Sequence, residues 1–314
     1  MLESQLQAGV PQASAGVRRS RRRQISDRTI QQLFIMPTLL LLIAMNIFPL
    51  FYSLYLSFTD FSAIANKAPG WVGLANFQNI LNDKASWLYF ATTGRYALMA
   101  VSLELLIGFG LAMLVRARFR GSGLVTTLIL VPMMLCPVVV AYFWKLIFNP
   151  SMGIFNYLIG FWSPATAPDW LRQPTLAMWA IVIVDVWMWS PFVMLLVLSG
   201  LKAIPEYLYE AAAIDRASTW FQFWRITLPQ VAPLVLIAVL FRTIEAFKQF
   251  DLVQGLTGGT PGEATELLAV HLWRLAFQQF KTGQSSALAY IVLIIILAVS
   301  NLYVRNLGRI RGEA

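Results

Sequence analysis

Six long apolar runs constrain this chain more than any other feature of its sequence. They cover residues 33–58, 93–115, 124–146, 175–200, 232–255 and 285–304. A helix crosses the roughly 30 Å hydrocarbon core of a bilayer in about 20 residues, and each run is at least that long. Because lipid offers the backbone no hydrogen bonds, such runs must form helices. The sequence therefore predicts an all-α polytopic membrane protein with six transmembrane helices.

Composition agrees with this class and excludes others. Hydrophobic residues make up 58% of the 314 positions and charged residues only 12%, which is more apolar surface than one soluble core could bury. The net charge of +9 comes from short basic clusters beside the apolar runs, a pattern that favours lipid headgroups over nucleic acid. Cys136 is the only cysteine, so an intrachain disulfide and a thiolate metal cluster are excluded.

Basic residues are divided unequally between the loops of alternate compartments, fifteen against five. The richer set is Arg18, Arg19, Arg21, Arg22, Arg23, Arg28, Arg116, Arg118, Arg120, Lys202, Arg216, Arg225, Arg305, Arg309 and Arg311. The poorer set is Lys67, Lys84, Arg172, Arg274 and Lys281. Cytoplasmic loops carry the excess of Lys and Arg. Both termini are therefore predicted to be cytoplasmic.

The chain divides into three parts along its length. Residues 1–28 are basic with few large apolar groups and are predicted to be a disordered cytoplasmic tail. Residues 29–92 hold the first transmembrane helix and a periplasmic segment; the helix is too long for a cleaved signal, whose apolar region spans about 7–15 residues. Residues 93–314 form the membrane core, which includes a cytoplasmic segment at 205–231.

That cytoplasmic segment suits neither lipid nor a simple loop. It begins PEYLYEAAAIDRASTWFQFWR and places Tyr209, Ala213, Ala217 and Phe221 at four-residue spacing, which is one face of a helix. An exposed apolar face of this kind indicates either a docking site for a partner or a helix that lies in the lipid headgroups.

The same segment resembles a known family. EAAAIDRAS at 210–218, with the Leu-Pro pair at 228–229, is similar to the EAA loop of binding-protein-dependent ABC importer permeases of the bacterial inner membrane. The resemblance implies a coupling helix that enters a groove on a cytoplasmic ATPase subunit. The implied coupling residues are Glu210, Ala211, Ala212, Ala213, Asp215, Arg216, Ala217, Leu228 and Pro229.

Arg216 departs from the family pattern, which most often has glycine at this position. Glycine tolerates a positive φ, whereas a residue with a side chain loses about 1 kcal/mol there. We therefore expect the bend at Arg216 to differ in shape from the bend that the family makes at its glycine.

Further stretches resemble the maltose and glycerol-phosphate type of sugar permeases. They are GLANF at 73–77, WKLIFNP at 144–150, FDL at 250–252, LTGGTPG at 256–262 and GQSSALA at 283–289. The resemblance implies import of a sugar or sugar derivative, without cofactor, enzymatic activity or nucleic acid. It also implies a second permease subunit, two copies of the ATPase and an extracytoplasmic solute-binding protein as partners, besides membrane lipid.

The fifth run carries an unusual set of polar residues: Arg242, Glu245, Lys248, Gln249 and Asp251. Ionisable groups at membrane depth cost several kcal/mol unless they are paired or face water. These residues occupy roughly half of a helix circumference, which indicates a substrate path. The alternative is an ion pair between Glu245 and Lys248 that only holds the structure together.

Three other features bear on the path. The glycine-rich loop with Gly258 and Gly259 suits a backbone bordering a water-filled cavity, although a plain turn is the alternative. Glu104 and Asp185 either line the path or join helices by hydrogen bonds. His271 has no nearby metal partners in the sequence and is predicted to be structural.

The sequence lacks a Walker A loop, G-x-x-x-x-G-K-[ST], and a nucleophile elbow. ATP hydrolysis is therefore expected on a separate polypeptide. An ion-coupled secondary transporter is the alternative function. That class expects interrupted helices in two corresponding halves, whereas the sequence shows an interruption only near the fifth run.

Overall fold

The computed structural model describes residues 27–65, 68–117, 119–162 and 168–311. Those residues are helical apart from turns and one isolated bridge between Thr59 and Trp71. The helices are α1 Asp27–Ser57, α2 Ala75–Asn82, α3 Lys84–Arg116, α4 Ser122–Leu130, α5 Pro137–Ile147, α6 Ile154–Trp162, α7 Pro174–Ala203, α8 Tyr207–Ile214, α9 Thr219–Gln222, α10 Leu228–Phe247, α11 Asp251–Leu256, α12 Leu268–Trp273 and α13 Thr282–Arg311. The predicted tail lies outside the described residues, except for 27 and 28, which begin α1.

Five helical segments are long and apolar enough to cross a membrane. They are Gln31–Ser57, Lys84–Arg116, Pro174–Ala203, Thr219–Phe247 and Thr282–Arg305. They correspond to the first, second, fourth, fifth and sixth apolar runs. The all-α membrane class is confirmed.

The third run differs from the prediction because it is not one continuous helix. It is divided into α4, a 3-10 turn at Pro132–Met134, and α5. Proline has no N–H and disfavours helical backbone in the residue before it, and Cys136, directly before Pro137, is extended with φ −68° and ψ 128°. The third run is therefore two short helices joined by a turn, and not one continuous helix.

The described chain forms two compact units, one up to Tyr52 and one from Ser53 onward. The first consists mainly of α1, where every side chain between residues 31 and 52 is exposed. That surface includes Phe48 and Tyr52, whose rings stack with centroids 6.0 Å apart. Exposed apolar residues around a whole helix are suited to lipid or to a partner helix.

The core of the second unit is built by α3, α7 and α10. Glycines allow these helices to approach closely. A Cβ on Gly108 of α3 would lie 2.6 Å from Val193 Cβ of α7, and one on Gly200 of α7 would lie 2.7 Å from Leu234 Cδ1 of α10. Such small residues at helix contacts are typical of membrane proteins, and here they bring the polar positions of the three helices within reach of one another.

The loop between the first two spans is anchored by the GLANF stretch. The Asn76 amide donates to the carbonyl oxygens of Ser57 (2.9 Å) and Thr59 (2.8 Å). Asp83 then caps α3 by accepting from the backbone N–H groups of Ala85 and Ser86. These hydrogen bonds lower the pKa of Asp83, and the bond from Ala85 has the largest effect. The stretch thus has a structural role in the connection between α1 and α3.

Candidate transport path and coupling segment

The predicted coupling segment contains two helices, α8 and α9, joined by a turn. Because α8 ends at Ile214, the four-residue spacing does not continue along one helix, and the predicted single face is wrong. Tyr209 faces inward: its hydroxyl accepts a hydrogen bond from Arg116 Nη1 (3.3 Å) and lies 2.9 Å from Thr227 Oγ1. The Arg116 guanidinium lies 4.6 Å from the centroid of the same ring.

Other residues of the segment present large apolar side chains to the surroundings. Ile214 is 83% exposed and Trp220 is 70% exposed. Tyr207, Phe221 and Trp224 are also exposed. Of the predicted coupling residues, Glu210, Ala211, Ala213, Asp215, Arg216 and Pro229 are exposed, Ala217 and Leu228 are half-buried, and Ala212 is buried. The segment is thus anchored to its own chain through Tyr209 and Ala212 and leaves an uncovered apolar surface.

Arg216 adopts a left-handed conformation in the turn after α8, with φ 53°. Its N–H donates to the Ala213 carbonyl at 3.1 Å, and the N–H of Ala217 donates to the Ala212 carbonyl at 2.9 Å. These bonds close the carboxyl end of the helix. The chain therefore makes the left-handed bend that a glycine would favour, with an arginine in place, at a cost of about 1 kcal/mol.

The polar residues of the fifth run fall into two environments. Of the predicted path residues, Arg242 and Gly259 are buried, Gln249 and Gly258 are half-buried, and Glu245, Lys248 and Asp251 are exposed. The helix itself is shorter than the run, because α10 ends at Phe247 and the chain turns at residues 248–250 before α11. This break places Gln249 and Asp251 off the axis of α10.

Arg242 is the centre of a buried cluster that joins three helices. Its Nε donates to Glu104 Oε2 at 2.6 Å and its Nη2 to Glu104 Oε1 at 2.8 Å, a bidentate pair with α3. The same Nη2 donates to Asp185 Oδ2 of α7 at 2.9 Å. Gln249 Nε2 donates to the other oxygen of Asp185 at 2.9 Å. Of the two interpretations of Glu104 and Asp185, the structure favours hydrogen bonds between helices.

The surroundings of this cluster allow the charges to remain in the membrane. The side chains of Glu104 and Asp185 are 0% exposed and that of Arg242 is 3% exposed. The guanidinium also lies 4.8 Å from the centroid of the Trp189 ring, a cation–π arrangement. Charges without water are tolerated when every group has a partner, and this cluster supplies partners to all three.

Glu245, one turn further along α10, and Lys248, directly after its end, are in the opposite environment. Lys248 Nζ donates to Glu245 Oε1 at 2.9 Å, so the predicted i, i+3 pair forms. Their side chains are nevertheless 54% and 55% exposed. The pair therefore has a surface that is open to water or to another subunit, unlike the Arg242 cluster.

Comparison with known proteins places the chain in a family. Residues 104–311 match the family described as "Binding-protein-dependent transport system inner membrane component". The chain belongs to this family. It is 36% identical over 292 residues to a probable ABC transporter permease protein, y4oQ, of Sinorhizobium fredii, covering 93% of each chain.

Two further relatives are named for sugars. One is the trehalose/maltose transport system permease protein MalF of Thermococcus litoralis, 35% identical over 285 residues that cover 90% of this chain and 94% of that one. The other is the trehalose transport system permease protein SugA of Mycobacterium tuberculosis, 30% identical over 285 residues and 91% of each chain. A crystal structure of a bacterial ABC transporter involved in alginate import shares the fold, with a TM-score of 0.79 at 18% identity, covering 91% of this chain and 98% of that one.

The glycine-rich loop of this permease is braced by side chains that the sequence analysis did not single out. Arg274 Nη2 donates to the Gly258 carbonyl at 3.2 Å and its Nη1 pairs with the buried carboxylate of Glu266. Glu266 also contacts His271 Nδ1 at 2.8 Å. Gly258 and Gly259 have φ values of 62° and 89°, which favour glycine. These contacts fix the conformation of the loop. In the sequence, the feature that could have indicated them is Glu266, a carboxylate in the apolar stretch after the loop.

His271 has a structural environment, as expected. Its ring stacks on Tyr89 with centroids 4.0 Å apart while its Nδ1 faces Glu266. It thereby joins α12 to α3. The residues whose roles the sequence analysis did not predict are Glu266 and Arg274, although they pair only eight positions apart.

Proposed function

We propose that this permease is one of two membrane-spanning subunits of an ATP-driven importer that moves a sugar or sugar derivative into the cytoplasm. The observation that carries the proposal is identity of 30–36% over nine tenths of the chain with permeases, two of which are named for trehalose or maltose. A relative named for starch degradation products, 29% identical, supports the same substrate class. The ion-coupled alternative is not retained, because the family is defined by dependence on a binding protein.

One of the proposed partners, the ATPase, fits an apolar surface that the described part of the chain leaves exposed. The apolar surface around Ile214 and Trp220 supports docking on an ATPase, since exposed patches of this kind typically mark an interface. Two ATPase copies, a second permease and an extracytoplasmic solute-binding protein complete the proposed importer. Both termini and the coupling segment lie in the cytoplasm in this proposal, because basic residues are concentrated there.

The proposed substrate path is bordered by Glu245, Lys248 and Asp251, with Gln249, Gly258 and Gly259 beside them. The exposure of the three charged groups supports this proposal, because charges at membrane depth are stable only beside water or a partner. Arg242 contributes indirectly, because it holds α10 against α3 and α7.

Reconstitution tests the proposal directly. Proteoliposomes would contain this chain, its second permease, the ATPase and the solute-binding protein, with a panel of mono- and disaccharides outside. We expect uptake of at least one sugar that requires internal ATP and persists when ionophores remove ion gradients. Uptake that follows an ion gradient without ATP would contradict the proposal.

Orientation requires a separate test. Cys136 is exposed, so it is first replaced by serine. Single cysteines are then introduced at Ser151, in the loop after α5, and at Ser218, in the coupling segment, both of which are exposed. We expect an impermeant thiol reagent added outside intact cells to label Ser151→Cys and not Ser218→Cys. The reverse labelling would show that the orientation is inverted.

A further inference from the structure

A polar cavity of about 980 Å³ lies where the carboxyl ends of α3 and α7 meet the amino end of α4. It is separate from the Arg242 cluster and from the glycine-rich loop. Its polar lining consists of Arg116, Ser122, Thr126, Thr127, Lys202 and Glu206. Two cations and three hydroxyl groups thus converge on one space at the end of the membrane-spanning helices.

The charge of this cavity is not neutralised by ion pairs. Within the described residues, neither Arg116 nor Lys202 forms a salt bridge with a carboxylate. Arg116 donates one hydrogen bond, to the Tyr209 hydroxyl, which leaves other guanidinium donors for a ligand. With Glu206 as the only acidic residue in the lining, the cavity has a net positive charge and favours an anion.

The amino end of α4 adds donors on the same side. The residue before this nine-residue helix is Gly121, which provides no side-chain cap. The first N–H groups of a helix have no intrahelical partners, and their partial positive charge attracts anions, phosphate above all. The N–H of Ser122 donates to the Phe119 carbonyl at 3.1 Å, and the Thr126 and Thr127 hydroxyls donate to the carbonyls of Ser122 and Gly123. The next N–H groups of α4, together with Arg116, Lys202 and the Ser122 hydroxyl, form a donor set suited to a phosphate.

We propose that this cavity binds the phosphate group of an anionic phospholipid from the cytoplasmic leaflet. Lipid is favoured over a soluble phosphate because the apolar surface begins at the border of the cavity: Leu114, two residues before Arg116, is 70% exposed, and Leu124, two residues after Ser122, is 67% exposed. The acyl chains would cover these leucines while the headgroup enters the cavity. The assignment to the cytoplasmic leaflet rests on the orientation proposed above.

The cavity is linked to the coupling segment through one side chain. Arg116, which lines it, also stacks on Tyr209 of α8. The Tyr209 hydroxyl in turn lies 2.9 Å from Thr227 Oγ1 at the start of α10. A phosphate bound to the Arg116 guanidinium would therefore stabilise the contact between Arg116 and Tyr209 that anchors the coupling segment. Anionic lipid would in this way increase sugar-stimulated ATP hydrolysis.

The test is lipid binding to the purified, assembled importer in detergent, measured by native mass spectrometry during titration with phosphatidylglycerol or phosphatidylcholine. We expect tighter binding of phosphatidylglycerol, and about fivefold weaker binding after Lys202→Gln, the effect of one basic residue near an anionic headgroup. Ser122→Ala removes a hydroxyl of the lining without changing charge and should weaken binding less. Arg305→Gln is the matched control, since it removes an exposed positive charge near the end of α13, and it should leave binding unchanged.

Each contrary outcome overturns the proposal. Equal binding of the two lipids would mean that the cavity does not recognise an anionic headgroup. Equal losses in Lys202→Gln and Arg305→Gln would mean that only the overall surface charge matters. Lys202-dependent binding of inorganic phosphate that phosphatidylglycerol does not displace would assign the cavity to a soluble anion. Because the measurement in detergent is independent of membrane orientation, failure of this site is distinguishable from failure of the proposed topology.

Discussion

Two charged regions at the carboxyl end of α10, about one helical turn apart, are stabilised in opposite ways. Arg242 is buried and bonded to carboxylates from α3 and α7. Among the residues that the structure describes, Glu245 and Lys248 form an ion pair only with each other, and both are more than half exposed. A charge within a membrane can therefore be stabilised by distant parts of its own chain or left for water and partner subunits. The first arrangement holds helices together; the second leaves the charged groups exposed.

The strongest test of this contrast is Arg242→Met. Its removal leaves Glu104 and Asp185 buried without a cation, a change that typically costs about 3–5 kcal/mol. We expect a large loss of folded protein and a lower melting temperature for the purified importer. Partial recovery in the triple variant with Glu104→Gln and Asp185→Asn would identify the lost charge balance as the cause. Wild-type stability of Arg242→Met would mean that the cluster does not hold the three helices.

The apolar surface around Ile214 and Trp220 should respond differently, because in the proposed importer the ATPase covers it. Ala213→Asp or Glu210→Lys is expected to introduce a wrong charge at the ATPase interface, at a cost of several kcal/mol. The ATPase should co-purify poorly and sugar-stimulated hydrolysis should fall, while the membrane subunit remains folded. Unchanged values of both measurements would indicate that the segment only lies on the membrane surface.

Lys248→Gln and Glu245→Gln separate transport from stability. As an exposed i, i+3 pair they contribute at most about 0.5 kcal/mol to stability, so the amount of assembled importer should remain near normal. If they border the substrate path, sugar uptake should fall about tenfold or more, on the scale of about 1.4 kcal/mol per tenfold change. Lys84→Gln, an exposed lysine at the start of α3, is the control. Loss of assembly with normal uptake per complex would assign the pair a structural role instead.

The smallest effect is expected at the left-handed bend of the coupling segment. Arg216→Gly removes a side chain from a residue at φ 53° and should raise stability by up to about 1 kcal/mol. The neighbouring Asp215 has an ordinary φ of −73°, so Asp215→Gly should lower stability by roughly 0.5–1 kcal/mol through the backbone entropy of glycine. Thermal unfolding of the two variants checks the opposite signs; changes of the same sign would argue against strain at Arg216.

Local properties of the sequence were sufficient for the fold class. The length and hydropathy of the six runs predict membrane helices because each helix satisfies its own backbone hydrogen bonds, whatever its neighbours. The EAAAIDRAS stretch likewise predicted the coupling segment from a contiguous motif. Pro137 indicated a break in the third run, but the prediction used hydropathy alone, which gives one continuous helix.

The pairing of side chains was decided only by tertiary structure. Nothing local distinguishes Arg242 from Lys248, since both are cations in the same apolar run. Arg242 is buried because close packing of α3, α7 and α10 brings it to carboxylates 138 and 57 positions away, whereas Lys248 has its partner three residues before it. A sequence determines which charges must find a partner or water at membrane depth; the packing of distant helices determines which of the two each charge finds.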